Sequence, residues 1–251
     1  MPRAARKTAN SGIYHIMMRG INRQIIFEEH EDYEKMRQII MECREKSGFE
    51  LYGYCLMSNH IHLLIKENKE PLGIIFRRIG SRYVYWYNTK YGRAGHLFQD
   101  RFRSEPVDTD DYLLTVLRYI HRNPVKAGVA DRPEDYPYSS FRGYTEGKSD
   151  ADTGYVLNLL PREQFEEFHE AGWQDVCLDM PQEETKHVTD EDALKIMRKI
   201  THCGSCPEFQ ALERGKRASL IVKMKREGLS LRQISRLTGE TVYKIQKCLS
   251  N

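Results

Sequence analysis

His60 and His62 stand two residues apart in the run MSNHIHLLIK. Side chains alternate along a strand, so both imidazoles would leave one face of it while Ile61 packs on the other. Two imidazoles that close can share one divalent cation. Tyr119 lies in DYLLTVLRYIHRNPVKAG, and at helical spacing Asn123 falls four residues after it and Tyr112 seven before it, all on one face. Pro124 disfavours α geometry at Asn123 and puts that residue at the fraying end of its helix, where the amide oxygen is free to act as a third ligand. Each feature taken singly also fits a plainer role. An isolated H-x-H suits a polar pair on an exposed sheet face. In a chain with 15 tyrosines, a half-buried ring on an amphipathic helix is ordinary.

The elements that would position these residues follow from periodicity and turn chemistry. Residues 12–19 (GIYHIMMR) read as a strand, and residues 31–47 place Met36, Ile39, Ile40 and Cys43 at helical spacing before Gly48 stops the helix. Residues 49–57 and 60–66 read as two strands around a tight Ser58-Asn59 turn. A long helix is expected over 71–91, then a strand over 98–107, then N-cap chemistry at Asp108 to Asp111 for a helix through Tyr119. The order β-α-β-β-α-β with a further helix predicts an α+β fold, a ferredoxin-like antiparallel sheet with helices on one face. Residues 124–143, with Tyr136, Tyr138 and Phe141, read as a loop closing a domain of residues 1–145. Residues 146–190 read as an acidic connector and 191–251 as a small all-α domain. Within it Leu231, Ile234 and Leu237, a Gly turn at 239, and Val242, Ile245 and Leu249 give the pattern of a helix-turn-helix.

Composition narrows the class. Of 251 residues, 40% are hydrophobic and 30% charged, so a packed core is expected and wholesale disorder is not. No apolar run approaches the roughly 20 residues that span a bilayer, and the basic start MPRAARKTANSG lacks the apolar stretch of a signal peptide. A cytoplasmic location without membrane attachment is the expectation. Six scattered cysteines argue against a secreted disulfide framework, and His202 with Cys203 and Cys206 lacks the second ligand pair of a structural zinc site. The net charge is only +3, but it is unevenly spread: basic from Lys66 to Arg103, acidic from 151 to 200, basic again after 201. Two basic blocks suggest two nucleic-acid surfaces, although solvated helix faces look the same.

His60-Ile61-His62 on a strand, followed by LFQDRF and then YIHRNPVKAG, resembles the HUH single-tyrosine transposases, and among them the REP-associated tyrosine transposases. The opening block YHIMMRGINRQIIF is similar to that subgroup's first strand and turn, and the resemblance runs over about residues 10–145. It implies that His60 and His62 hold Mg²⁺ or Mn²⁺, that Tyr119 is the nucleophile and that Asn123 completes the site. It implies single-stranded DNA as substrate, at hairpins such as repetitive extragenic palindromes. The active unit is a monomer or a homodimer, according to whether Tyr119 meets the histidines of its own chain or of a partner. The chemistry is physically consistent: a cation on a non-bridging phosphate oxygen offsets the charge that builds in the transition state, and a phenol then serves as nucleophile.

Candidate DNA contacts are Arg19, Asn22 and Arg23 in the turn after the first strand, Arg77, Arg78 and Arg82 interleaved with aromatics on the long helix, and Arg101 and Arg103 beyond it. The C-terminal segment resembles the DNA-binding domain of the initiator DnaA, with Arg232, Arg236 and Lys244 as candidates for duplex contacts. Two other readings are a non-catalytic DNA- or RNA-binding regulator on the same fold, which would be indifferent to chelators, and a relaxase or replication initiator, usually a longer chain.

Overall fold

The computed structural model describes residues 7–147, 150–171, 177–178 and 190–249. Its centre is a four-stranded antiparallel sheet of β1 (Ile13–Arg19), β2 (Glu50–Met57), β3 (His60–Lys66) and β4 (Arg103–Pro106), in the order β2-β3-β1-β4. This is the strand order expected of a ferredoxin-like sheet, with β1 and β3 in the middle. Both central strands are buried along nearly their whole length. That is why they read as almost continuous apolar runs instead of alternating with polar residues. The register sets Arg19 opposite His60, Met17 opposite His62 and His15 opposite Leu64. Directly paired residues share a face. His15, Met17, Arg19, His60 and His62 therefore lie on one face, and Met18 and Ile61 on the other.

Two helices accompany the face of Met18. α1 (His30–Ser47) begins with a reciprocal cap between Glu29 and Asp32 and ends at Gly48. α2 (Leu72–Tyr91) lies over Met18, whose methyl comes within 3.5 Å of where a side chain at Gly80 would start. Arg78 bridges the two helices by donating to Ser47 and Glu70, each at 2.6 Å, and Arg82 pairs with Glu42. The further helix, α3 (Asp110–Lys126), covers the opposite face. It approaches β2 closely because Gly53 has no side chain: a Cβ there would sit 2.4 Å from Leu117 Cδ1. α3 starts at Thr109, whose side chain accepts from the Tyr112 amide at 3.3 Å. It runs through Pro124 to Lys126, so Asn123 is a buried position inside the helix and not its frayed end.

Two further segments correct the sequence pattern. Only Arg103–Pro106 joins the ladder, where the pattern predicts a strand over 98–107; Phe98 makes an isolated bridge with Gly20. The acidic connector carries α5 (Thr153–Leu159) and α6 (Arg162–Glu170), preceded by the short α4 (Phe141–Glu146). Val156, Phe165 and His169 are buried in the same core as α3, while Glu163, Glu166, Glu167 and Glu170 face solvent. The charges are the outer half of an amphipathic helix. The loop before α4 runs along the free edge of β2, with Leu56 N donating to Tyr138 O at 2.9 Å and Ser140 N to Tyr54 O at 3.0 Å, which closes that edge.

Beneath α3 a buried polar line joins His169, His121 and Ser140, with His121 Nδ1 3.0 Å from His169 Nε2 and His121 Nε2 2.8 Å from Ser140 Oγ. Burial, with His169 adding to it, holds His121 well below the usual imidazole range, so it is neutral in the fold. The unfolded chain takes up a proton near the ordinary value of about 6.5. Above that pH neither state gains a proton and the contribution to stability is full; below it the unfolded state binds protons that the fold refuses, and stability falls. The melting temperature is therefore expected to drop between about pH 7 and about pH 5.5, and to drop less in His121→Gln. Parallel pH curves for the two proteins would count against this assignment.

The chain divides into two units, Met1–Val84 with His96–Gln182 and Tyr85–Gly95 with Glu183–Asn251. The second contains α7 (Asp190–Thr201), α8 (Cys206–Gln210), α9 (Arg214–Arg226), α10 (Leu231–Thr238) and α11 (Val242–Leu249), around Met197, Phe209, Ile221, Met224, Ile234 and Ile245. Ser230 and Gln233 form a reciprocal cap at α10, and Gly239 turns the chain at φ 70° into α11. Arg236 and Lys244 are exposed, Lys244 lying 3.4 Å from the buried Glu240, which also pairs with Arg217 at 2.6 Å. Arg232 is on α10, with its side chain outside the described residues. Among the described residues no helix is long and apolar enough to cross a membrane.

Candidate active site

β3 presents His60 and His62 on the face beneath α3, with ring centroids 5.0 Å apart and ring planes nearly perpendicular. Each ring is anchored through Nδ1. His60 Nδ1 lies 2.6 Å from Asn59 Oδ1, and His62 Nδ1 lies 2.9 Å from His15 Nε2 on β1. An amide oxygen only accepts, and both His60 nitrogens face one; the shorter contact, 2.6 Å to Asn59 against 3.3 Å to Asn123, assigns the proton to Nδ1 and leaves the Nε2 lone pair directed away from Asn59. Desolvation first, then the neighbouring His60, His15 and Lys126, hold His62 well below the usual imidazole range. His62 is thus neutral, the form that binds metals.

α3 brings Tyr119 and Asn123 to the same place. One turn of helix separates them, so the phenol and the amide both face the sheet, and both are almost wholly buried. Asn123 Oδ1 lies 3.3 Å from His60 Nε2. With the His60 proton on Nδ1, these two atoms are both acceptors, and a cation between them would relieve their opposition. Tyr119 packs edge-on against His62 and His15, at centroid distances of 5.7 and 5.9 Å. Lys126, two turns further on, sets its ammonium 5.1 Å from the Tyr119 ring. Tyr112, on the same helix face, lies instead beside Glu105, and burial followed by that carboxylate pushes its phenol up.

The donor set suits a hard or borderline divalent cation: two imidazole nitrogens and one amide oxygen. Among the described residues His62 Nε2 is buried without a hydrogen-bond partner, an arrangement that costs stability unless something fills the site. Among the described residues no three His, Cys, Asp or Glu side chains converge on one point, and the Asn123 amide oxygen beside His60 is the group that would serve as a third protein ligand. The same holds at His202, Cys203 and Cys206, whose cysteines are free thiols.

Residues 8–123 match the family model described as "Transposase IS200 like". A Haemophilus influenzae protein named as a REP-associated tyrosine transposase is 30% identical over 122 residues, which cover 44% of this chain and 69% of that one. The chain belongs to the REP-associated tyrosine transposases. An Escherichia coli K12 REP-associated tyrosine transposase is 26% identical over 112 residues, 43% of this chain and 64% of its own length. A solved structure of a REP-associated tyrosine transposase bound to a REP hairpin aligns with a TM-score of 0.49 at 22% identity, over 57% of this chain and 84% of that one.

In this REP-associated tyrosine transposase the candidate DNA contacts fall into two groups. Arg19, on β1 opposite His60, shares the face of the histidines, as does the exposed Arg103 opposite Met17. Asn22 and Arg23 follow β1 in a turn where both adopt left-handed backbone, φ 49° and 58°; Asn22 is exposed, and so is Arg101. Arg77, Arg78 and Arg82 belong to α2, across the sheet from the histidines. There Arg78 and Arg82 are engaged with Glu70 and Glu42, so these two hold α2 to α1, while Arg77 is exposed and takes no part in either pair. Sequence reasoning passed over Asn59, His15, Glu105 and Lys126. The one local signal was His15 itself, a histidine inside the otherwise apolar IYHIMMR.

Proposed function

We propose that this chain is a metal-dependent endonuclease and strand transferase acting on single-stranded DNA, at hairpins of the repetitive palindromic kind after which its relatives are named. One observation carries the reading: a buried phenol and a buried amide one helical turn apart on α3 lie against a histidine pair on β3 of the same chain. His60, His62 and Asn123 would hold Mg²⁺ or Mn²⁺, which when bound neutralises phosphate charge and orients the scissile bond.

The chain's own residues supply the rest. The Tyr119 oxygen forms a bond to phosphorus as the bond to the 3′-oxygen breaks, and the phenolic proton is balanced by the one the departing oxygen gains. The products are a 5′-phosphotyrosine and a free 3′-hydroxyl. The phosphodiester energy is kept in the new linkage, so attack by the 3′-hydroxyl of another strand reverses the step without ATP. Burial of the ring against His15 and His62 orients the phenol and excludes water that would otherwise hydrolyse the intermediate. Arg19 and Arg103 offer cations for the backbone on that face. Incubation of the full chain with hairpin-bearing single-stranded DNA and Mn²⁺ should give a covalent adduct that EDTA prevents. Sequence-specific binding with no adduct and no chelator effect would instead support a non-catalytic regulator.

The α10–α11 pair is proposed to add duplex affinity. Replacing Arg236 and Lys244 by alanine should weaken duplex binding and flatten the plot of log affinity against log salt by about two, near one per lost phosphate contact. An unchanged salt slope would make this unit a stabilising appendage.

A further inference from the structure

His15 is fully buried in the middle of the sheet, at a position whose neighbours on the same face and strand are Ile13 and Met17. An imidazole buried without partners is costly, so where its nitrogens point is informative. Nε2 meets His62 Nδ1 at 2.9 Å. Nδ1 faces Glu105 Oε2 at 3.7 Å, an ion-pair distance, from the residue directly opposite on β4. Glu105 is itself oriented, accepting from the Leu178 amide at 3.0 Å. Its carboxyl lies below the usual range, first because of His15 and then because of the Tyr112 hydroxyl and that amide.

A carboxylate can only accept, so the His15 nitrogen facing it is the protonated one and Nε2 carries the lone pair. That lone pair can be satisfied only by a proton on His62 Nδ1. The remaining His62 nitrogen, Nε2, then has its own lone pair free, and it is the buried atom that lacks a hydrogen-bond partner among the described residues. His60 shows the same logic with a different acceptor, Asn59.

We propose that Glu105 and His15 are positioning residues, a line across β4 and β1 made of a 3.7 Å charge contact and a 2.9 Å hydrogen bond, which fixes the His62 tautomer and presents Nε2 to a divalent cation. The inference rests on the metal-site reading above. It explains a fully buried histidine, facing a partly exposed carboxylate, where an apolar side chain would pack more simply, and it follows the rule that the second nitrogen of a metal-binding histidine is held by an acceptor. His15 is not itself a ligand, because its Nε2 is committed to His62.

Two measurements on the full chain without DNA test it. Mn²⁺ affinity read by electron paramagnetic resonance should fall roughly 10- to 100-fold in His15→Leu, less in Glu105→Gln, and recover in part in His15→Gln, whose amide oxygen can again accept from His62. Imidazole ¹⁵N shifts of the metal-free protein should show His62 protonated on Nδ1 in the wild type and redistributed toward Nε2 in His15→Leu. The inference is overturned if wild-type His62 carries its proton on Nε2. It is also overturned if a folded His15→Leu binds Mn²⁺ as the wild type does while His62→Ala does not. Should His15→Leu not fold, Glu105→Gln and the wild-type tautomer still decide. Wild-type protein that binds no Mn²⁺ would sink the metal reading and this inference together, an outcome distinct from the other two.

Discussion

Tyr119→Phe is expected to eliminate the proposed covalent protein–DNA adduct and to lower strand cleavage by on the order of 10⁴-fold or more, the scale of removing the atom that would form the new bond. The substitution deletes one oxygen and leaves the ring in its edge contacts with His15 and His62. Folding and hairpin affinity should therefore stay close to wild type, which separates a chemical loss from a structural one. The measurement is denaturing gel electrophoresis of protein incubated with end-labelled hairpin DNA and Mn²⁺. A persistent adduct in Tyr119→Phe would move the nucleophile elsewhere, and an intact adduct in Tyr112→Phe is the matching control, because the Tyr112 hydroxyl sits beside the Glu105 carboxylate.

The second large effect is expected from His60→Ala with His62→Ala. Losing both nitrogen ligands removes several kcal/mol of charge stabilisation from the transition state, a fall of about 10³-fold or more in cleavage. Hairpin affinity should change by no more than about threefold, since it comes chiefly from cations against phosphates and not from the histidines. His62 is fully buried while His60 is partly exposed, so the single variants should differ. His60→Ala is expected to keep the wild-type melting temperature within a few degrees. His62→Ala leaves His15 Nε2 without its partner and should also lose stability, by about 1–3 kcal/mol. Equal cleavage by the double variant and the wild type would remove the histidine pair from the mechanism. So would a wild-type reaction that proceeds unchanged in EDTA.

Much of the site is legible in the amino-acid sequence because its signals are local. Alternation along residues 60–66 places both histidines on one face, and a separation of four places Asn123 beneath Tyr119. Where pattern and fold disagree, surroundings are the cause. Pro124 by its chemistry loosens Asn123, whereas burial of α3 against the sheet carries the helix on to Lys126. Arg78 and Arg82 read by composition as DNA contacts, and the fold pairs them with two glutamates, one of them on α1, that no local pattern announces. The run of glutamates after residue 162 has the pattern of a solvated connector, because its four charges outnumber the two inward residues, Phe165 and His169, that dock it.

The sequence by itself determined which groups are present, their alternation and helical phase, and hence the α+β order and a chemistry of histidine, tyrosine and amide. Only the tertiary structure decided that α3 crosses the face bearing the histidines while α1 and α2 take the other. It also decided that His15, 47 residues from His62, reaches its ring, and that Glu105 closes the line from β4. The physical reason is that a helix or strand phase repeats within a few residues and can be read along the chain. The identity of a hydrogen-bond partner on another strand depends on register and packing, which no local pattern encodes.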